Sequence, residues 1–158
     1  MLKKIEIKWS NLPENLFIDI YKISQEIGID TIAIVGGVVR DTLLRAFPES
    51  ERINPKDVDL VVEGSATELA LALKKKLGKD RVMEMCIHSD YNTAEMKIDG
   101  FPVDLASARK EKYQIPGNNP ELSPCSLNED LLRRDFTINA MAIDLSNMRL
   151  LDPYGGKV

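Results

Sequence analysis

The chain has 158 residues, enough for one domain with a real core. Its composition is 44% apolar and 29% charged, ordinary for a folded domain, and no apolar run approaches the roughly 20 residues needed to span a bilayer. A formal net charge of -4 argues against strong nucleic-acid binding by this chain alone, because phosphate contacts dominate such affinity.

The N-terminal MLKKIEIKWS has lysines but no apolar core segment, so it does not read as a signal peptide, and a cytoplasmic location is the default expectation. The two cysteines, Cys86 and Cys125, fit no zinc spacing and suggest a reducing compartment. The single histidine, His88, excludes most His-based metal sites and makes a Ser-His-Asp triad improbable; it reads as a strand-end surface or packing residue.

Residues 1–10 read as a short edge segment. Residues 15–27, between Pro13 and Gly28, mix Leu16, Ile18, Ile20, Ile23 and Ile27 with charges, which predicts an amphipathic helix. Residues 31–35 are β-branched and apolar, a buried strand ended by Gly36-Gly37. A short helix over 38–45, a polar loop over 47–56 and a second buried strand over 58–62 follow. Ser65 and Glu68 stand at capping-box spacing and open a helix to Leu77, closed by Gly78. Lys74, Lys75 and Lys76 suit the C-terminal end of that helix dipole, a solvated end being preferred to RNA contact.

Residues 81–87 and 92–98 look like strands, and Asp99-Gly100 signals a tight hairpin into a strand over 101–107. Residues 109–126, with Pro116, Gly117, Pro120 and Pro124, form a long loop of the kind that is often functional or mobile. A helical pattern over 127–134 leads into a mostly apolar stretch over 136–143, and LDPYGGKV ends the chain in turn-like sequence.

Three features carry chemistry. Asp57 and Asp59 lie two apart at and within the second strand, on one face, where their charges repel. A divalent cation would relieve that repulsion, since carboxylate oxygens suit Mg²⁺; the alternative is that both sit at the exposed end of an edge strand. Asp104, flanked by Val103 and Leu105, adds a carboxylate on another strand. If the two strands are neighbours, the three acids can hold two metals about 3.5–4 Å apart and support an in-line displacement of pyrophosphate. Gly36-Gly37, after a strand and before a helix, presents backbone N–H groups to an anion such as a nucleoside triphosphate, with Arg40 in reach. A purely structural turn is the alternative; the P-loop lysine and the G-x-G-x-x-G pattern are both missing from it.

GGVVRD at 36–41, KDVDL at 56–60, VDLASAR at 103–109 and RRDFTINAM at 133–141 occur in that order. Together they resemble the head domain of the class II tRNA nucleotidyltransferases and bacterial poly(A) polymerases, within the DNA polymerase β nucleotidyltransferase superfamily. The resemblance spans about residues 15–158. It implies that Asp57 and Asp59 are metal ligands and that Asp104 is the third superfamily carboxylate, the base toward an RNA 3′-hydroxyl. It implies that Gly36, Gly37 and Arg40 meet the nucleoside triphosphate, with Arg109 near them, and that Arg134 binds nucleotide phosphate. Asp135 would bind the ribose 2′-hydroxyl and favour NTP over dNTP, supported by Asn139.

The sequence departs from the family pattern in three places. Nineteen residues separate Gly37 from Asp57, more than is usual in the superfamily, and the surplus at 46–55 is loop-like. The family's neck, body and tail domains, which read the incoming base and much of the tRNA, lie beyond the matched region, so a head-domain fragment is expected. Glu129-Asp130-Leu131-Leu132-Arg133 matches the neck's E-D-x-x-R pattern literally but overlaps RRDFTINAM and reads as coincidence.

The sequence thus predicts one α+β head domain over 1–158, with a mixed or antiparallel sheet of about five strands and helices packed on one face. The intact enzyme would add CMP and/or AMP to tRNA 3′ ends, as a CCA-, CC- or A-adding enzyme, using Mg²⁺, CTP and ATP. A poly(A) polymerase and a catalytically silent nucleotide-binding module are the alternatives. Membrane partners are not expected, and the fragment alone would be weakly active or inactive.

Overall fold

The computed structural model describes residues 15–44, 56–134 and 140–153. The chain runs α1 (Leu16–Glu26), β1 (Ile32–Val35), α2 (Gly37–Leu44), β2 (Val58–Val62), α3 (Ala66–Leu77), β3 (Val82–His88), β4 (Thr93–Ile98) and β5 (Phe101–Ser107). It continues through β6 (Arg109–Lys112), β7 (Glu121–Pro124), α4 (Leu127–Leu132), β8 (Ala142–Asp144) and β9 (Arg149–Leu151). Among the described residues no helix is long and apolar enough to cross a membrane.

Seven strands form one mixed sheet in the order β3-β4-β5-β2-β1-β8-β9, and β6 and β7 form a separate hairpin. The pairing of β2 with β5 is parallel, while β1 and β4 flank that pair with antiparallel neighbours. Alternation along the strands splits the sheet into two faces. Ile32, Ile34, Val58, Leu60, Val62, Val103 and Leu105 bury one face against Leu16, Ile20 and Ile23 of α1 and Leu69 and Leu73 of α3. Each such side chain contributes about 1.5–3 kcal/mol on leaving water, which makes this face the main core. On the other face Ala33, Val35 and Val61 pack with Leu127 and Leu131 of α4, a smaller cluster confined to one end.

Local chemistry fixes the helix ends. Ser65 Oγ accepts from the Glu68 N–H at 3.2 Å, Asn92 Oδ1 from Thr67 at 3.1 Å and Ser107 Oγ from Ala66 at 2.9 Å, so the first turn of α3 is fully capped. Ser126 and Glu129 make a reciprocal capping box on α4, and Glu63 Oε1 accepts from Leu127 N at 2.6 Å, tying α4 to the end of β2. Asp99 and Gly100 both have positive φ, 51° and 81°, as a two-residue type I′ hairpin requires. Arg81 bonds Asp19 of α1 and Asp99 of that hairpin at 2.8 Å each, joining helix layer to sheet edge.

The mixed α+β sheet agrees with the sequence reading, and α1 and α3 cover one face as expected, but α4 packs Leu127 and Leu131 against the other. The sheet is wider than about five strands because β8 and β9 add to it. Each has three residues, too few for alternation to show, and they arise within stretches that read as apolar run and turn. The loop over 109–126 contains the β6–β7 hairpin, with alternate exposed and half-buried residues in β6. Lys74, Lys75 and Lys76 are exposed at the end of α3, and Lys76 lies 3.4 Å from Glu26. The edge segment over 1–10, the surplus loop over 46–55, and Asp135 and Asn139 lie outside the described residues.

Candidate active site

The parallel register of β2 and β5 sets Asp59 directly beside Asp104. This neighbour relation is the condition under which the three acids could act together. The cross-strand row extends from Val35 through Asp59 and Asp104 to Glu95 on β4 and Cys86 on β3. All but Val35 are charged or reactive, and they share the sheet face that α1 and α3 leave uncovered. Asp57 is exposed, just before β2 begins.

The electrostatics of that row are unfavourable by construction. Burial, then the charges of Asp104 and Asp57, push the Asp59 carboxyl from its ordinary 3.8 up to about 6; Arg134 opposes the rise. Asp104 is also raised, first by burial and then by the charge of Asp57, and is held back by its hydrogen bond with Asp59. Half-buried acids crowd together here, and among the described residues Arg134 offsets their charge. A divalent cation is the group that this donor set fits, because hard carboxylate oxygens bind it and its charge removes the repulsion.

Gly36 stands at the mouth of the same site with φ of 82°, and a Cβ there would lie 3.1 Å from Asp59 Oδ2. Glycine is therefore required twice, by the backbone and by the close approach of the carboxylate. Gly37 opens α2, where the Gly36 carbonyl accepts from Val39 N–H at 3.1 Å. Arg40 is close by, with its Nε 3.2 Å from Asp41 and both side chains substantially exposed. That surface pair leaves the guanidinium able to swing to another anion.

Arg134 lines a cleft of about 280 Å³ with Asp59, Asp104, Glu95 and His88. Its Nη2 lies 3.3 Å from Asp130, whose carboxylate is fully buried and also accepts from Arg133 Nη2 and the Arg109 N–H at 3.1 Å each. Asp130 thus fixes both consecutive arginines and the start of β6 at one point. Arg109 faces a neighbouring depression instead, with its guanidinium 5.9 Å above the Tyr91 ring, donating to Tyr91 O and paired with Glu111 at 3.3 Å.

The family profile of the Poly A polymerase head domain matches residues 32–158. The chain belongs to this family. An A-adding tRNA nucleotidyltransferase from Aquifex aeolicus is 45% identical over 129 residues, which is 78% of this chain and 14% of that protein. A CC-adding tRNA nucleotidyltransferase from Deinococcus radiodurans is 39% identical over 139 residues, covering 85% of this chain and 34% of that protein. The solved structure of a CCA-adding enzyme in apo form II superposes with a TM-score of 0.74 at 36% identity, over 90% of this chain and 32% of that one. A tRNA nucleotidyltransferase complexed with a primer tRNA and an incoming ATP analog gives a TM-score of 0.66 at 39% identity, over 87% and 35%. The chain spans 14% and 34% of the length of the two relatives compared by sequence.

Within this head domain the structure brings together Asp59, Asp104, Gly36 and Arg134, with Asp57, Gly37 and Arg40 at the rim. Arg109 is set to one side, and Asp135 and Asn139 are outside the described residues. Three residues of the site were not singled out from sequence as such. Glu95 was detectable as the polar member of an alternating strand, Thr93 to Lys97. His88 reads as a strand end, which it is, yet it also lines the cleft. Asp130 gave only a literal match to a motif of another domain; its role rests on contacts that no spacing reveals.

Proposed function

We propose that this head domain is the catalytic part of a tRNA nucleotidyltransferase that adds CMP and/or AMP to tRNA 3′ ends from CTP and ATP. The observation that carries the reading is the side-by-side placement of Asp59 and Asp104 on parallel strands, with Asp57 at the rim and a glycine turn packed against Asp59. Relatives that carry out A-adding and CC-adding, and a neighbour bound to primer tRNA and an ATP analog, support the substrate class.

In this reading Asp57 and Asp59 hold Mg²⁺, which when bound supplies electrophilic stabilisation of the phosphates and of the pyrophosphate leaving group. Asp104 accepts the proton of the RNA 3′-hydroxyl. Gly36, Gly37 and the start of α2 direct backbone donors at the triphosphate, and Arg40 and Arg134 balance its charge. Asp130 positions Arg134, and Arg109 supports the site from its edge. Asp135, supported by Asn139, binds the ribose 2′-hydroxyl and selects NTP over dNTP. A cytoplasmic location belongs to the same proposal, supported by the tRNA-processing relatives.

The test is incorporation of labelled CMP and AMP into tRNAs ending at each stage of CCA, in the complete polypeptide that carries this head. Asp57→Ala and Asp59→Ala should each lower incorporation by about a hundredfold or more. Undiminished activity in either variant removes the metal assignment. Repeated AMP addition without CMP would identify a poly(A) polymerase, and metal-dependent nucleotide binding without incorporation a silent module.

A further inference from the structure

A second cluster of metal-binding donors lies at the border of the cleft, outside the triad of acids: His88 and Glu95 line the cleft, and Cys86 lines the adjoining depression together with Glu95. The Cys86 Sγ is 3.7 Å from His88 Nε2, and Glu95 Oε2 is 3.5 Å from the same nitrogen. All three donor atoms lie within 4.8 Å of one another, and all three residues are exposed. Cys86 and His88 share a face of β3 at spacing two, and Glu95 is the direct partner of Cys86 on β4.

A β-bulge creates this convergence. Val82 pairs with Ile98 but Glu84 with Lys97, so Met83 is an extra residue on β3 and is 66% exposed. The extra residue reverses the alternation: Met85 and Ile87 turn toward the apolar core, and Cys86 and His88 turn to the cleft face. Without the bulge, the two ligand-type side chains would point into the core beside Val82.

The distances match a tetrahedral metal site. With Zn–S of about 2.3 Å and Zn–N and Zn–O of about 2.05 Å, tetrahedral angles give about 3.6 Å between sulfur and nitrogen and about 3.3 Å between nitrogen and oxygen. The observed separations are 3.7 and 3.5 Å. A Cys-His-Glu nucleophilic relay is not built here. In a relay the carboxylate holds one ring nitrogen and the thiol the other, whereas here both converge on Nε2.

We propose that Cys86, His88 and Glu95 form a binding site for a soft divalent cation of the Zn²⁺ class, distinct from the all-oxygen site of Asp57 and Asp59. One sulfur, one nitrogen and one oxygen donor suit Zn²⁺, while carboxylates alone suit Mg²⁺. Three protein ligands leave a fourth position open to the cleft, where water or a phosphate oxygen would bind. The site does not depend on the transferase reading.

The test is titration of the complete chain with Co²⁺ as a spectroscopic substitute, in a non-thiol reductant, followed by displacement with Zn²⁺. With excess Mg²⁺ present to occupy the all-oxygen site, the expected result is one equivalent of Co²⁺ bound with thiolate-to-cobalt charge-transfer and tetrahedral d–d absorption, abolished by Zn²⁺. Cys86→Ser should abolish the charge-transfer band, and His88→Ala should weaken Co²⁺ binding by about tenfold at least. Cys125→Ser and the double variant Asp57→Asn/Asp59→Asn should leave both unchanged. The three ligand side chains are exposed, so their replacement does not threaten the fold. Absence of the charge-transfer band in the parent chain, or its persistence in Cys86→Ser, overturns the proposal.

Discussion

Asp59 shows how a single residue can oppose folding in order to serve a site. Its carboxyl is raised to about 6 in the fold, from an ordinary 3.8, by burial and by Asp104 and Asp57. The folded state therefore binds the Asp59 proton more tightly than the unfolded chain does. Its contribution favours folding below about 3.8 and is lost as pH rises through about 6, so at pH 7.5 the ionised carboxylate destabilises the metal-free protein. Asp59→Asn removes that charge, and its amide can still donate to Asp104. The variant should be more stable by about 1–2 kcal/mol at pH 7.5 in chelator, with the gain shrinking as pH falls toward 4. Denaturant titrations at several pH values check this, and equal or lower stability of the variant at pH 7.5 would contradict it. Asp57, Asp59 and Asp104 were legible in the sequence because apolar strands rarely carry unpaired acids. Asp130 was not, since an acid on an amphipathic helix is unremarkable until three separate donors are seen to converge on it.

At the scale of elements, the turn from β1 into α2 separates two adjacent glycines that the sequence presents as equivalent. Gly36 has φ of 82° and faces Asp59 Oδ2 at 3.1 Å, whereas at Gly37 an added Cβ would meet only the mobile tip of Arg40 at 3.3 Å. Gly36→Ala should thus destabilise by about 1–2 kcal/mol through backbone strain alone and also displace the Asp59 carboxylate. Gly37→Ala should be close to neutral in stability, because alanine favours the first turn of a helix and a flexible side chain can give way. Thermal denaturation and Mn²⁺ titration of the two variants, side by side, measure the difference; equal losses would show that the turn is less constrained than the geometry requires. The strand–glycine–helix order was readable from β-branched residues followed by a break. The bulge at Met83 was not, because nothing in VMEMCIH marks the point where alternation reverses. Its consequence, Cys86 and His88 on the cleft face, was equally hidden.

For the whole molecule, the long-range pairing of β2 with β5 builds the proposed site, since it sets Asp59 beside Asp104, more than forty residues away in sequence. Local patterns predicted both strands but not their adjacency; the ordered family motifs supplied it indirectly. Charge sets the remaining expectation. With 21 Lys and Arg against 25 Asp and Glu, the chain is net negative, and the exposed Lys74–Lys76 run sits on α3, on the sheet face opposite the acids. Arg109, Arg133 and Arg134 are each tied to Asp130 or Glu111, so their charge is largely neutralised locally. These three arginines therefore contribute little to replacing the counterions of an RNA phosphate backbone, the chain as a whole is net negative, and affinity follows the number of phosphates neutralised. The 158-residue chain should therefore bind tRNA weakly, with an apparent Kd above about 10 µM in physiological salt and a shallow dependence on salt concentration. Filter binding across a salt series tests this. Submicromolar binding with a steep salt slope would mean that this chain itself carries a tRNA-binding surface, and that the acidic balance of its composition conceals a basic patch.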